Sequence, residues 1–314
     1  MPCDGKVLVT TAGFIERLIK NAGEDCYGDE LWASKYNFTH PEAVIQATLD
    51  MLKNGSNVIF TNTYQSSVDL YKKCLKLSDE QCMESLRQTV GFACTARDRF
   101  LKESKPEIVP LIGGAIGPYG ACLHDGSEYT GAYIDKVSRE FLRDWHRPRV
   151  AALVEGGADF LAVFTIPCLA EAEVIVDLIC TEFAQTKFWI SLQCKDDTHV
   201  AHGEKFSEAV LAIWKKVRDQ YKSDKLMAIG VNCLPPANVS PLLKSLEGHT
   251  IPFMVAANSG ETYDVQKGWH GKADCKPLES FIPEWIALGA KFIGGCCRTD
   301  ISDIGKIKKA IELS

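Results

Sequence analysis

Cysteines are the residues of this sequence whose spacing most clearly suggests chemistry. Cys296 and Cys297 are adjacent and follow two glycines in the segment GGCCRT at residues 294–299. A third thiol, Cys233, comes shortly after a separate apolar run at residues 227–231. Three thiolates that converge from two strand ends suit tetrahedral zinc, with the fourth position open to water or substrate. If the fold brings the three together, they predict one zinc per chain.

Spacing alone leaves two other interpretations of these thiols open. Free cysteine is among the most often buried residue types, so Cys296 and Cys297 are also compatible with a packing role. A disulfide between these neighbours is a further alternative, which a reducing compartment disfavours. The pattern is not the C-x2-C pair of recognised zinc motifs. We expect the other ten of the thirteen cysteines to be structural.

The elements that must position these thiols are short apolar or β-branched runs, each followed by a stretch of helical periodicity. The runs occupy residues 6–10, 57–61, 108–115, 159–164, 188–192, 227–231, 252–256 and 291–294. Helical stretches occupy residues 41–54, 78–104, 133–156, 169–182, 206–221 and 277–288. Eight βα units predict an α/β fold with parallel strands, the (β/α)8 TIM barrel. In such barrels the site lies at the carboxyl ends of the strands.

Composition and charge narrow the classes of partner. The chain has 35 Lys and Arg against 41 Asp and Glu, a formal charge of −6, so it has no electrostatic footprint for nucleic acid or an anionic membrane. Prolines interrupt the long uncharged stretches, which fall short of the about 20 apolar residues of a membrane helix. The start, MPCDGK, lacks the features of a secretory signal. We therefore expect a cytoplasmic protein with small-molecule partners.

Domain organisation and assembly are read from the same features. No linker or low-complexity tract divides the sequence, which predicts a single barrel domain over residues 1–314. Only 17 residues follow Cys297, enough for one closing helix and no long C-terminal arm. We therefore expect a monomer.

Several separate segments resemble the homocysteine S-methyltransferase family, in addition to GGCCRT and the Asn-Cys pair at 232–233. They are TNTYQ at 61–65, GPYGA at 117–121, GSEY at 126–129, HRPR at 146–149, KD at 195–196, HGE at 202–204 and NSGE at 258–261. The resemblance covers nearly the whole chain and implies a (β/α)8 barrel in which Cys233, Cys296 and Cys297 bind zinc. It also implies methyl transfer from S-methylmethionine or S-adenosylmethionine to homocysteine or a related thiol or selenol, giving methionine. Betaine is a weaker third donor.

Polar residues near the strand ends are the candidates for substrate contacts. Asn and Gln also structure loops, and a Ser or Glu after a strand also caps helices, so each candidate has a structural alternative. We expect Arg298 to pair locally. The candidates are Asn62 and Gln65 after the second run, Asn232 beside Cys233, and Ser259 and Glu261 after the seventh run.

Two positions depart from the family that the sequence resembles. Relatives carry D-G-G after the first strand and E-T-I-P after the fourth, and both acids are implied to hold the α-amino group of the substrate. Here Thr11 and Phe164 stand at those positions. Three interpretations stay open: drift that neighbours compensate, a different thiol acceptor, or a catalytically altered or inactive zinc-binding barrel that still binds a small thiol. An aromatic ring favours a less charged substrate, although its face also attracts cations.

Overall fold

The computed structural model describes residues 5–264 and 268–314 of the chain. Eight parallel strands form one sheet in the order β1-β10-β7-β6-β5-β4-β3-β2. The strands are β1 (Leu8–Val9), β2 (Val58–Phe60), β3 (Leu111–Ile116), β4 (Phe160–Ile166), β5 (Phe188–Leu192), β6 (Leu226–Asn232), β7 (Phe253–Ala257) and β10 (Ala290–Gly295). An antiparallel pair, β8 (Thr262–Asp264) and β9 (Gly268–His270), is inserted after β7.

The first and last strands of this order meet through a short seam. The backbone N–H of Asn57 donates to the carbonyl of Val9 at 2.8 Å, and the Asn57 side chain accepts from the N–H of Val9 at 3.2 Å. The hydroxyl of Ser56 donates to the carbonyl of Thr10 at 3.0 Å. The sheet is therefore a nearly closed barrel whose seam between β1 and β2 uses side chains as well as backbone.

Helices alternate with the strands and cover the outside of the barrel. The α-helices are α1 (Phe14–Ala22), α2 (Tyr36–Thr39), α3 (Pro41–Lys53), α4 (Val68–Leu75), α5 (Asp79–Glu103), α6 (Arg139–Glu155), α7 (Leu169–Glu182), α8 (Phe206–Lys215), α9 (Pro236–Lys244), α10 (Ile282–Ala287) and α11 (Ile301–Glu312). A π-helical turn, Lys216–Gln220, extends α8. Short 3-10 turns lie at Trp32–Lys35, Tyr119–Cys122, Ser127–Tyr129, Ile134–Lys136, Lys272–Asp274 and Leu278–Phe281.

The strands read as almost uninterrupted apolar runs because both of their faces are buried. In β5, Phe188, Ile190 and Leu192 pack outward against the helices. Trp189, which alternates with them, packs inside the barrel among Phe160 and Phe292. The barrel interior is therefore a packed core up to the level at which the strands end.

The predicted (β/α)8 architecture is confirmed, with all eight strands at the expected places. The runs at 188–192 and 169–182 coincide with β5 and α7, and most other bounds move by one to three residues. Helices α1, α4 and α9 and the β8–β9 pair were not predicted, since each is short and lies among loop-like residues. Nowhere along residues 5–264 and 268–314 is there a helix with the length and apolar character needed to span a bilayer.

Candidate active site

The three cysteines meet at the carboxyl ends of neighbouring strands. Strand β7 lies between β6 and β10 in the sheet, and its last carbonyls anchor both segments. The N–H of Cys233 donates to Ala256 at 3.0 Å, and that of Cys296 donates to Ala257 at 2.8 Å. As a result the three Sγ atoms of Cys233, Cys296 and Cys297 lie within 4.8 Å of one another.

Within this cluster the sulfur atoms in direct contact are those of Cys233 and Cys296. The Sγ of Cys297 lies 3.9 Å from each of them. The alternative of a disulfide between the vicinal Cys296 and Cys297 is therefore not what the structure contains. The pair that the fold brings into contact joins two strand ends 63 residues apart in sequence.

Small residues before the cysteines are a packing requirement. A Cβ at Gly294 would collide with the side chain of Thr10, and one at Gly295 would lie 2.6 Å from Oγ1 of Thr299. Cys233 itself has a φ of 57°, in the left-handed region where a residue other than glycine is strained. The turn at the end of β6 thus aims its thiol toward the other two.

Asn232 fixes the direction of that turn. Its Oδ1 accepts from the N–H of Thr165 at 2.8 Å and from the hydroxyl of Ser191 at 2.6 Å. Its amide donates to Oγ1 of Thr165 at 2.7 Å and to Sγ of Cys233 at 3.4 Å. These four contacts occupy the hydrogen-bonding capacity of an asparagine side chain. Asn232 therefore orients Cys233 and β4, while its predicted role in binding substrate stays a prediction.

The donor set fits zinc. Three soft thiolate ligands without a fourth protein ligand match a site that keeps one position open. Burial, followed by the charge of Glu16, raises the pKa of the Cys297 thiol to about 11. A metal ion must displace this proton when the thiolate coordinates it.

The cysteines form one wall of a cavity of about 490 Å³ above the packed barrel core. Its other walls are largely aromatic and come from the ends of β1, β2 and β4 and the loops that follow them. Tyr27 and Tyr129 are both more than two-fifths exposed, which places them at its opening. The aromatic lining residues are Phe14, Tyr27, Trp32, Phe60, Tyr64, Tyr129 and Phe164.

Both positions that depart from the family line this cavity. A bulge between Val163 and Ile166 in β4 turns Phe164 and Thr165 alike toward it, and Thr165 has a φ of 59°. The Phe164 ring meets Phe60 edge to face, with centroids 4.9 Å apart. Thr11, after β1, also lines the cavity, and its carbonyl accepts from the N–H of Gly295 at 3.1 Å. A neutral hydroxyl and an aromatic ring therefore stand where the resemblance implies two carboxylates.

Asn62 and Gln65 also line the cavity, each with one side of its amide already held. The Asn62 amide donates to the carbonyl of Ala33 at 2.8 Å and to Oδ1 of Asn37 at 3.1 Å, so only its Oδ1 can contact a ligand. Nε2 of Gln65 donates to Ala121 at 3.1 Å. Its Oε1 is buried and meets no hydrogen-bond donor within the described ranges. Both residues therefore offer acceptors, and their contact with substrate stays a prediction.

Ser259 and Glu261 lie behind the cavity and are not among the residues that line it. The Ser259 hydroxyl donates to Oε2 of Glu261 at 2.7 Å. Oε1 of Glu261 accepts from the guanidinium of Arg298 at 3.4 Å, so the expected local pairing of Arg298 is present. Arg298 does line the cavity, and the N–H of Ser259 donates to the carbonyl of Cys297 at 3.2 Å, so Ser259 and Glu261 support the site from behind.

The loops after β2 and β3 are held by a buried charged network that the sequence did not suggest. The guanidinium of Arg149, on α6, donates to the carbonyls of Gly117 and Tyr64 at 3.0 Å each. Glu171, on α7, is fully buried and accepts from Nε2 of His146 at 2.9 Å and from the Tyr133 hydroxyl. Burial lowers the pKa of His146, so this imidazole is neutral beside the carboxylate. Arg149 and His146 both belong to the HRPR segment at 146–149, whose structural role the sequence did not indicate.

Comparisons with known proteins agree with this geometry. The family model described as homocysteine S-methyltransferase matches residues 8–311. A betaine-homocysteine S-methyltransferase of Drosophila melanogaster is 46% identical, over 98% of this chain and 94% of its own length. A homocysteine S-methyltransferase of Bacillus subtilis, YbgG, is 38% identical, over 89% of this chain and 87% of its own length.

Solved structures of the homocysteine methyltransferase MmuM from Escherichia coli are similar throughout the fold. The metallated form superposes with a TM-score of 0.83 at 30% identity, covering 97% of this chain and 96% of that one. The oxidised form also gives 0.83, at 32% identity, covering 98% and 96%. A metal-bound state and an oxidised state are thus both recorded on this architecture.

Proposed function

Since this chain belongs to the homocysteine S-methyltransferase family and is a methyltransferase, we propose that it moves a methyl group from a sulfonium donor to the sulfur of homocysteine, with one zinc at Cys233, Cys296 and Cys297. The observation that carries the proposal is the convergence of three thiols on one wall of a cavity large enough for a small substrate. S-methylmethionine and S-adenosylmethionine are the donors that we propose, and methionine is the product.

The bond changes in this reaction are simple. The sulfur of homocysteine, after losing its proton, forms a bond to the methyl carbon of the donor. The bond between that carbon and the positive sulfur of the donor breaks, and its electron pair neutralises the donor. When bound, zinc would lower the pKa of the acceptor thiol so that the thiolate is available near neutral pH. What remains for the protein is to position two small molecules in line.

The residues around the cavity suit that task. Its lining includes aromatic side chains such as Phe60, Tyr64 and Phe164. Aromatic faces attract onium cations, and apolar walls exclude water from the reacting atoms. Asn232 holds the turn that carries Cys233, which keeps the thiol at a fixed place. No histidine is found among the described lining residues, in keeping with a transfer that depends on orientation.

Betaine is a second candidate donor, favoured by the 46% identity to the Drosophila betaine-homocysteine enzyme. A quaternary ammonium and a sulfonium are both methylated cations that aromatic walls attract. Betaine differs from the sulfonium donors in the rest of the molecule, since it is short and carries a carboxylate close to its nitrogen. The aromatic lining alone therefore favours a methylated onium cation, and the donor must be chosen by experiment.

A donor-by-acceptor matrix tests the proposal. Reduced protein loaded with zinc is given homocysteine with S-methylmethionine, S-adenosylmethionine or betaine in turn, and methionine is measured. We expect methionine with one of the two sulfonium donors. Methionine from betaine alone would replace the proposed donor. Homocysteine-induced thermal stabilisation without turnover by any donor would instead support a binding protein.

The zinc assignment has its own test. Elemental analysis of the purified reduced protein should give one zinc per chain, and Cys297→Ser should remove it. Cys74→Ser, on α4 and away from the cavity, is the matched control and should keep the metal. Full zinc occupancy in the Cys297 variant would contradict the assignment.

A further inference from the structure

An amino-acid thiol brings two charges into the cavity, an α-ammonium and an α-carboxylate. Burying either without a partner is costly, so the cavity must supply opposite charges or leave both groups in water. Thr11 and Phe164 supply neither. Of the described residues that line the cavity, Glu16 alone is acidic and Arg298 alone is basic.

Glu16 is well placed to receive a cation. It lies in the first turn of α1, which begins five residues after the end of β1, so it stands at the carboxyl end of the barrel. Its side chain is exposed at the cavity edge and forms no ion pair with any residue in the described ranges. A carboxylate without a cationic partner at the edge of a cavity is free to bind the ammonium of a ligand.

Arg298 stands at the same opening and is held from behind. It follows Cys297 directly and has a φ of 63°, so the chain turns sharply at this residue. Glu261, which is 4% exposed, contacts one of its nitrogens at 3.4 Å. A guanidinium has five N–H donors, so this contact leaves most of them for a carboxylate.

The pKa of Tyr27, at the opening of the cavity, responds to the charges of both Glu16 and Arg298. Burial raises the pKa of this phenol, the charge of Glu16 raises it further, and the charge of Arg298 lowers it. Both charged groups therefore act on one side chain that lines the cavity. Glu16 and Arg298 also line the same cavity as the three cysteines.

We propose that Glu16 binds the α-ammonium group and Arg298 the α-carboxylate group of the acceptor, while its sulfur reaches the three cysteines. This proposal rests on the proposed function and names the residues that make the acceptor an amino acid. Glu16 thereby takes over the task of the two acids that Thr11 and Phe164 replace. Of the three interpretations of Thr11 and Phe164, this proposal supports drift that a neighbour compensates, and it names Glu16 as that neighbour.

Glu128 is another carboxylate near this end of the barrel, and it fits less well. It is not among the lining residues, although its neighbour Tyr129 is. Burial raises the pKa of Glu128, which favours its neutral form and weakens its attraction for a cation. A cation therefore finds a stronger partner in Glu16.

Three acceptors separate the two roles. Homocysteine carries both charges, 3-aminopropane-1-thiol lacks the carboxylate, and 4-mercaptobutanoate lacks the ammonium. Glu16→Gln should raise KM about tenfold to a hundredfold for homocysteine and 3-aminopropane-1-thiol, and leave 4-mercaptobutanoate nearly unchanged. Arg298→Gln should raise KM by a similar factor for homocysteine and 4-mercaptobutanoate, and spare 3-aminopropane-1-thiol.

Asp25→Asn is the matched control, because Asp25 is an exposed acid close to Tyr27 that does not line the cavity. Zinc content, measured in parallel, shows whether a variant has disturbed the cluster. Equal changes for all three thiols, or none, in variants with full zinc would overturn the proposal. If the wild-type protein makes no methionine, the proposed function fails, and calorimetric titration with the same thiols still decides whether Glu16 and Arg298 read the two charges.

Discussion

The cavity has two walls that are held in place by different means. The thiol wall, formed by Cys233, Cys296 and Cys297, is fixed by backbone: by carbonyls of β7 and by turns in the left-handed region. The loop wall, formed by residues 61–65 and backed by the loop 117–121, is fixed by buried side chains of α6 and α7. A wall fixed by backbone tolerates changes in distant side chains, whereas a wall fixed by a buried hydrogen-bond network depends on a few of them. Substitutions should therefore separate chemistry from stability.

The largest effect is expected on the thiol wall. Cys297→Ser removes one of three soft ligands, so methyl transfer should fall on the order of a thousandfold or more with the loss of zinc. The folding of the loop wall should be unaffected, since its network does not touch Cys297. Methionine formation and zinc content are measured together, with Cys74→Ser as control. Activity that persists after zinc is lost would break the comparison.

The next effect is expected on the loop wall. Arg149→Met leaves the carbonyls of Gly117 and Tyr64 without their donor. Each unsatisfied buried acceptor costs about 1–3 kcal/mol, so the free energy of unfolding should fall by about 3–5 kcal/mol. Urea denaturation measures it. Arg149→Lys keeps the charge but loses the forked geometry, so it should lose less. The folded fraction of either variant should still bind one zinc. A loss of zinc without a loss of stability would show that the walls are not separate.

A smaller effect is expected at Asn232, which supports the thiol wall beside Cys233. Asn232→Asp replaces the amide that donates to Cys233 by a carboxylate that repels a thiolate, so zinc affinity should fall about tenfold to a hundredfold. Competition with a chelator measures the affinity. Asn238→Asp, on α9 and outside the cavity lining, is the control for added charge. Unchanged affinity would mean that the backbone alone orients Cys233.

The smallest effect is a dependence of stability on pH. Burial lowers the pKa of His146, which faces Glu171 and Arg149, so the unfolded chain takes up a proton near pH 6.5 that the folded chain does not. The contribution of His146 to the free energy of unfolding is therefore complete above pH 6.5 and declines below it. The loss by pH 5.5 is at most about 1.4 kcal/mol. The loss is measured by denaturing the wild type, His146→Gln and the surface control His40→Gln at pH 6.5 and at pH 5.5. Equal slopes for wild type and His146→Gln would contradict the shift.

The two walls also differ in how far the sequence predicted them. The thiol wall is encoded in consecutive residues: two glycines that make room, two cysteines, and an Asn-Cys pair at another strand end. Such local patterns can be recognised in the sequence once the barrel is assumed. The bounds of the β-strands could be predicted as well, because strands buried on both faces appear as unbroken apolar runs.

The contacts that hold the loop wall could not be predicted, because the residues that form them lie far apart in the chain. Arg149 contacts the carbonyl of Tyr64 across 85 residues, and Glu171 contacts His146 across 25. A charged residue in a helix usually faces solvent, and nothing in the local pattern shows that Arg149 is buried. Glu16 was missed for a related reason, since α1 itself was not predicted. An acid seven residues past a strand end in a barrel is the signal that could have suggested it.

The seam of the barrel governs when the site can exist during synthesis. Strand β1 is made first, yet in the sheet it pairs with β10, which spans residues 290–295. The barrel therefore cannot close until β10 has left the ribosome, and contacts between segments far apart in sequence are slow to form. Cys296 and Cys297 follow β10 directly, whereas Cys233 is made earlier. Closing the barrel and assembling the thiol cluster are thus one late event, and a nascent chain that is still open has no competent site.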